Sequence, residues 1–355
     1  MPARPKPAIT EFSTSRVPPP MKAIPSASPN TTPFNDNPRR TTLSVDAMFT
    51  LMVRAMKATT PADAFTVSDF VMLAPPYPPL SRMMISPSTG QAVTAPWRLR
   101  QGAVTVCPVD GEIIVLDNGG YGGATITKSL TVNASAGVVA FIARTISVNI
   151  ASTDKVVLRG LSLNGVVFGD ADGIAFIGGG TLVVENSVIA GFTTAGIHQA
   201  SAGSNLIVNN CEFRNNARGV QNAISSDTNS NTVIENSRFE YNGYGVDAET
   251  GTASVSIRNS VVDNNSVGLI ASSFLQTRSV LIFVDTCTIA HNSAGTWATT
   301  EAAGSATIRV TNSTIYNNAL GMVLLGNGAI ESYGNNRVLA NTNSSTFSGT
   351  VFPLQ

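Results

Sequence analysis

From about residue 158 onward, apolar positions along the chain follow two nested periods. Within short runs they alternate with small or polar residues, as in Val255-Ser-Ile-Arg-Asn-Ser-Val-Val-Asp-Asn-Asn-Ser-Val-Gly-Leu269. Period-two alternation predicts strands with one buried face. The whole run then repeats. Its central pair Asn259-Ser260 returns as Asn186-Ser187, Asn210-Cys211, Asn236-Ser237, Thr286-Cys287, Asn312-Ser313 and Asn335-Asn336, with Arg159-Gly160 ahead as a degenerate copy. Counted from Gly160, successive Asn marks lie 26, 24, 26, 23, 27, 26 and 23 residues apart. A glycine followed by an apolar residue keeps the same beat at Gly173, Gly196, Gly219, Gly245, Gly268, Gly295 and Gly321, with Thr296 the one polar follower. Such a fixed period predicts stacked units, each too small to bury its own apolar face.

Aligning the copies identifies the inward files. Two residues before the Asn mark stand Leu158, Val184, Val208, Ile234, Ile257, Val284 and Val310; three after it stand Leu163, Ile189, Phe213, Phe239, Val262, Ile289 and Ile315. Helical i, i+3, i+4 spacing is absent, and Gly and Asn are too frequent for helical repeats. Each copy therefore reads as one coil of short strands, with equivalent strands parallel and about 4.8 Å apart. A further file, Asn216, Asn242, Asn265, Asn292 and Asn318, suits a corner. Asn tolerates left-handed backbone, and stacked amides bond along a column. The predicted fold is all-β, a single-stranded parallel β-helix of about nine coils spanning residues 101–345.

Two stretches carry a family resemblance: Asp110-Gly-Glu-Ile-Ile-Val-Leu-Asp-Asn-Gly-Gly-Tyr-Gly-Gly-Ala-Thr-Ile-Thr-Lys-Ser129 and Val157-Leu-Arg-Gly-Leu-Ser-Leu-Asn-Gly165. Over residues 110–340 the chain resembles bacterial right-handed parallel β-helix repeat proteins of the pectin-lyase-like superfamily. The resemblance implies the right-handed sense, which also agrees with the general preference of parallel crossovers, and a location outside the cell or at its surface. For function it implies only a class, because that superfamily holds lyases, hydrolases, epimerases and non-catalytic binders.

Composition divides the chain. Residues 1–100 hold 11 Lys/Arg against 5 Asp/Glu, a net of +6, and the remainder is −6, so the overall charge of zero hides an asymmetry. The same hundred residues contain 17 of the 19 Pro and one Gly, Gly90. They read as an irregular or extended N-terminal segment with one helix over 43–60 and extended chain at 74–79. The superfamily commonly carries a signal peptide there, and no apolar run near Met1 is long enough for one. A divergent segment and a mis-assigned start or reading frame both stay open. No stretch reaches the about 18 apolar residues of a membrane span, and scattered basic residues without a cluster speak against nucleic acid. Strands are expected from Ala103 onward, a turn at Gly119–Gly123, and a C-terminal tail over 346–355 in which Val351–Leu354 plugs the coil end. Cys211 and Cys287 share an inward file three coils, about 14 Å, apart, beyond disulfide reach.

The outward files carry any chemistry. Charges beside the Asn mark, such as Glu235, Arg258 and Asp285, alternate in sign and read as a stabilising ladder. The file two residues after each Gly is mixed: Ala175, His198, Gln221, Asp247, Ile270, Trp297 and Val323. It predicts a shallow groove of His198, Gln221, Asp247 and Trp297 with Asp227, Glu249, Arg278 and Glu301 on its rim. There an indole stacks on a sugar ring and carboxylates and amides bind hydroxyls. Asp247, Glu249 and His198 are the candidates for acid–base work, and Asp170 and Asp172 the candidates for Ca²⁺, which often neutralises the uronate charge in a polysaccharide lyase. Every polygalacturonase signature is missing. The sequence thus favours a non-catalytic polysaccharide-binding or surface-adhesion β-helix without a cofactor. The alternative is a polysaccharide lyase or hydrolase acting on an acidic glycan.

Overall fold

The structure is a computed structural model that describes residues 83–86, 93–95, 101–116, 118–224, 228–274, 278–301, 303–349 and 351–353. The segments for which the sequence predicts an extended arm, a helix over 43–60 and extended chain at 74–79 lie outside these residues. Each sequence repeat is one coil of three strands, for example Asn205–Asn209, Glu212–Arg214 and Arg218–Ala223. Equivalent strands pair into three sheets. Sheet 1 holds the strands before the Asn mark, sheet 2 the three-residue strands after it, and sheet 3 the strands that carry the Gly mark. Ten parallel strands in sheet 1, ten in sheet 2 and nine in sheet 3 make nine coils and a partial tenth among the described residues. Val208, Ile234 and Ile257 occupy successive rungs and are fully buried. Phe213 and Phe239 stack 4.8 Å apart and nearly parallel, the spacing expected of adjacent rungs.

Two corners set the coil. At the first, Asn186, Asn210, Asn236, Asn259, Thr286 and Asn312 take left-handed φ between 49° and 54°, and Gly160 takes the equivalent place at 72°. The residue that follows sends a side chain to the coil below: Ser237 Oγ accepts from Cys211 N, and Ser260 Oγ accepts from Ser237 N. Cys211 and Cys287 fill the same file as free, buried thiols, each pushed up to about 12 by burial. At the second corner the left-handed residue is not the stacked Asn, as expected, but the residue before it: Asn215, Tyr241, Asn264, His291 and Asn317. That assignment frees Asn216, Asn242, Asn265, Asn292 and Asn318 to point inward, 2–3 % exposed. Each Oδ1 accepts the backbone N–H of the Asn below, Asn242 N to Asn265 Oδ1 at 2.9 Å for one, and Nδ2 donates to a sheet 2 carbonyl, Asn265 to Phe239 O at 3.0 Å. Asn341 extends the ladder by one rung, and Phe192 stands at its foot. Their burial removes these amides from any sugar-binding role.

The Gly mark follows from the second corner. A Cβ on Gly196 would lie 2.6 Å from the Gly219 carbonyl oxygen, and one on Gly219 would lie 2.5 Å from that of Gly245. No side chain fits between rungs there.

Both ends of the coil depart from the sequence reading. In place of a first strand at Ala103, helix α1 spans Gln101–Val106 and buries Ala103, Val104 and Cys107 against the lowest coil. Gln101 bonds both Thr125 N and Thr125 O, occupying the free edge of sheet 3 as a strand would. Met83–Ser86 and Val93–Ala95, within the segment expected to be irregular, pair antiparallel and close the lower edge of sheet 1 against Gly111–Val115. Gly119–Tyr121 is not a turn but the first strand of sheet 2, paired with Ala140–Ile142. At the upper end Phe347, not Phe352, packs on the core. Phe352 lies outside sheet 1, its ring centre 5.6 Å from that of Tyr333 and under the Arg309 guanidinium.

Asn265→Ala removes an acceptor for Asn242 N and Nδ2 and strands a buried N–H, a loss of about 2–4 kcal/mol. Urea unfolding of this variant is expected to show that drop, and Asn236→Ala, at an exposed corner, a drop of no more than about half as much.

Candidate functional site

Sheet 3 turns its outer face to one side of the coil. Strand register places the expected mixed residues in a single file, with Ala175 beside His198, then Gln221, Asp247, Ile270, Trp297 and Val323 on successive rungs. The file continues downward through Ser147 and Thr125. There a shallow open depression of about 490 Å³ lies among Gln101, Thr125, Arg144, Ser147 and Asp170.

A second outward file, absent from the sequence reading, lies one residue before each Gly. Asp172 stands beside Ala195, and Arg218 is followed by Tyr244, Val267, Ala294 and Leu320. The signal that would have found it is the Gly beat itself, read one position back. The two files clasp each other. His198 Nδ1 lies 3.3 Å from Asp172 Oδ2, Arg218 Nε donates to Asp247 Oδ2 at 2.7 Å, and the Arg218 guanidinium sits 5.4 Å above the Tyr244 ring. Gln221 Nε2 donates to Glu249 Oε1 at 2.5 Å. Higher up, Val267, Ile270 and Ala294 form a small apolar cluster of their own, with Tyr244, Trp297 and Val323 packed on it. The face is therefore polar over its lower coils and apolar over its upper ones.

The expected groove is thus partly assembled. His198, Gln221, Asp247, Glu249 and Trp297 share the face, although Trp297 is half-buried against its neighbours and does not stand free. Arg278 and Glu301 belong to loops between sheet 3 and sheet 1. The Arg278 guanidinium reaches the Thr250 carbonyl at 3.4 Å, and Glu301 is exposed beyond Thr300. Asp227 lies outside the described residues. The two carboxylates considered for Ca²⁺ are spent on different partners. Asp170 Oδ2 accepts from Thr145 N at 2.8 Å and lies 3.5 Å from Arg144 Nε, while Asp172 faces His198. Among the described residues no three His, Cys, Asp or Glu side chains are grouped to hold a metal ion.

Asp247 is the electrostatic centre of the face. Its carboxyl is pushed up to about 7, first by burial and then by the Glu249 carboxylate, with Arg218 pulling the other way. Arg218 itself is held above its ordinary value: burial is the largest single effect and opposes its charge, but the bond to Asp247 and the charges of Asp247 and Glu249 together outweigh it. Several polar atoms remain unpaired. Asp172 Oδ1, Gln221 Oε1, Asp247 Oδ1 and Trp297 Nε1 are buried without a hydrogen-bond partner, and the one other such side-chain atom among the described residues, Asp263 Oδ1, belongs to sheet 2.

Residues 112–276 match the family model described as Right handed beta helix region. The fold is a right-handed parallel β-helix. A solved structure, the Azotobacter vinelandii mannuronan C-5 epimerase AlgE6 A-module, is similar at 14% identity over 69% of this chain and 82% of that one, with a TM-score of 0.47. Among curated proteins none is similar in sequence.

The Asp247 carboxyl fixes a pH dependence. The unfolded chain releases this proton near 3.8 and the folded β-helix holds it to about 7, so the folded state binds more protons between those values. The stability this group contributes is complete below about pH 4 and is lost as pH rises to about 7, by up to about 4 kcal/mol. Denaturant unfolding measured across that window is expected to fall less steeply with pH in Asp247→Asn than in the parent chain.

Proposed function

We propose that the outer face of sheet 3 binds a polysaccharide and that the β-helix is a carbohydrate-binding or surface-adhesion module, placed outside the cell or at its surface. One observation carries this reading: buried polar atoms without partners and an aromatic, apolar cluster share one elongated face. An unpaired buried polar atom costs about 1–3 kcal/mol, which ligand hydroxyls can return. The exposed parts of Trp297 and Tyr244, both half-buried, offer apolar surface to the C–H face of a pyranose, with polar groups beside them to fix its orientation. A file of rungs spaced about 4.8 Å apart suits a polymer lying along the coil axis more than a compact small molecule.

Catalysis on an acidic glycan by a lyase or hydrolase, with Ca²⁺ in the lyase case, is the second reading. Its support is the Asp247 carboxyl near neutrality, where a general acid or base works best. Binding is favoured because Arg218 is seated on Asp247 and Gln221 on Glu249, an arrangement that immobilises both carboxylates.

Glycan-array binding followed by calorimetry separates the two. Trp297→Ala is expected to weaken glycan binding about tenfold or more, a loss of about 1.4 kcal/mol, while the parent chain releases neither unsaturated uronates nor new reducing ends. Turnover abolished by Asp247→Ala would establish the second reading instead.

A further inference from the structure

The donor and acceptor balance of the sheet 3 face narrows the ligand class. Three of its unpaired buried atoms, Asp172 Oδ1, Gln221 Oε1 and Asp247 Oδ1, are acceptors; Trp297 Nε1 is the one donor. Gln221 and Asp247 are neighbours on adjacent rungs, 6 % and 3 % exposed, so two residues with a buried, unpaired acceptor follow one another at the strand spacing of about 4.8 Å.

The cations of the face are already engaged. Arg218 is bonded to Asp247 and stacked on Tyr244, Arg144 is paired with Asp170 and lies over the Phe168 ring, and Arg278 reaches the Thr250 carbonyl. His198 is turned to Asp172. Around Gln221 the charges are Asp247 and Glu249 against the single guanidinium of Arg218, and Asp172 adds another carboxylate below. A uronate carboxylate placed here would meet like charge and bring acceptors to a surface that lacks donors. A Ca²⁺ ion, which takes roughly six to eight oxygens, would find two.

Resting on the polysaccharide-binding reading, we propose that this face takes an amino-sugar polymer. An unacetylated amino group sits against Gln221 Oε1 and Asp247 Oδ1, and neighbouring rings lie on the Tyr244 and Trp297 cluster. An ammonium carries three N–H donors and no acceptor, the complement of this corner, and its bond to a carboxylate is charge-assisted. Asp247, held against Arg218 and pressed by Glu249, gains a second cation at the oxygen that Arg218 leaves free. Acetylation would remove the charge, leave one N–H and add a carbonyl acceptor to a corner that already has two.

Titration calorimetry of the full chain at about pH 7, where the Asp247 carboxylate becomes available, with oligomers of glucosamine, N-acetylglucosamine and galacturonate as separate ligands, tests this directly. The glucosamine oligomer is expected to bind at least tenfold more tightly than either of the others. In Gln221→Met and Asp247→Asn, with circular dichroism matching the parent, that preference is expected to shrink by about tenfold. Galacturonate or N-acetylglucosamine binding as tightly as glucosamine would overturn the amino-group inference and leave the polysaccharide reading standing. Binding by none of the three, together with a blank glycan array, would overturn the reading beneath it.

Discussion

A side-chain amide that bonds the coil above and the coil below holds this β-helix in register. Each stacked Asn uses its Oδ1 to accept a backbone N–H from the rung beneath and its Nδ2 to reach a sheet 2 carbonyl. A shift of one residue would break both bonds and turn every inward Val and Ile outward. The Ser file at the other corner repeats the device with hydroxyls. Between the two corners the backbone is fixed closely enough that glycine carbonyls stack over glycines. Fixed register is also the condition for any functional surface, because it carries residues about 25 apart in sequence to neighbouring places.

The outer face of sheet 3 draws its character from that geometry. Neither file on it is uniform. Where polar side chains meet, they pair across the files, Asp172 with His198 and Arg218 with Asp247. Where apolar residues meet, they build a satellite core around Ile270. The other outward faces behave differently. On sheets 1 and 2 the ion pairs, such as Arg159 with Glu185 and Arg238 with Asp263, are half-exposed, and pairs of this kind contribute at most about 1 kcal/mol each. They stabilise a ladder. The sheet 3 face gathers three buried acceptors without partners, against the single Asp263 Oδ1 on sheet 2, a cost the fold tolerates and a ligand can relieve.

Much of the coil was legible because periodicity is a one-dimensional signal. The inward files, the mixed outward file from Ala175 to Val323 and the parallel stacking all follow from counting residues between Asn marks. The ends were not legible, because they do not repeat. Helix α1, the antiparallel cap of Met83–Ser86 and the turn-like Gly119–Tyr121 strand are single solutions to closing a coil, dictated by contacts with the terminal rungs. The left-handed residue was placed one position late because Asn occurs on both sides of the corner, and only the side-chain bonds of Asn216 and its successors tell the roles apart. At the site, Arg218 and Tyr244 escaped notice because their file mixes charge, aromatic and alanine. Their partnership with Asp247 and with the Trp297 cluster exists only in three dimensions.

In-register stacking is open to direct chemical measurement, since the three native thiols are buried, Cys211 and Cys287 pushed up to about 12 and Cys107 also raised by burial, and so stay inert under mild oxidation. Asn205 and Asn231 face outward on adjacent rungs of sheet 1, whereas Val233, also outward, is two residues out of step with Asn205. With Cys placed at both 205 and 231, oxidation is predicted to form a disulfide in the folded chain, and with Cys at 205 and 233 it is predicted to form little or none. Equal cross-linking of both pairs, or of 205 with 233 alone, would contradict the stacked register on which the sheet 3 face depends.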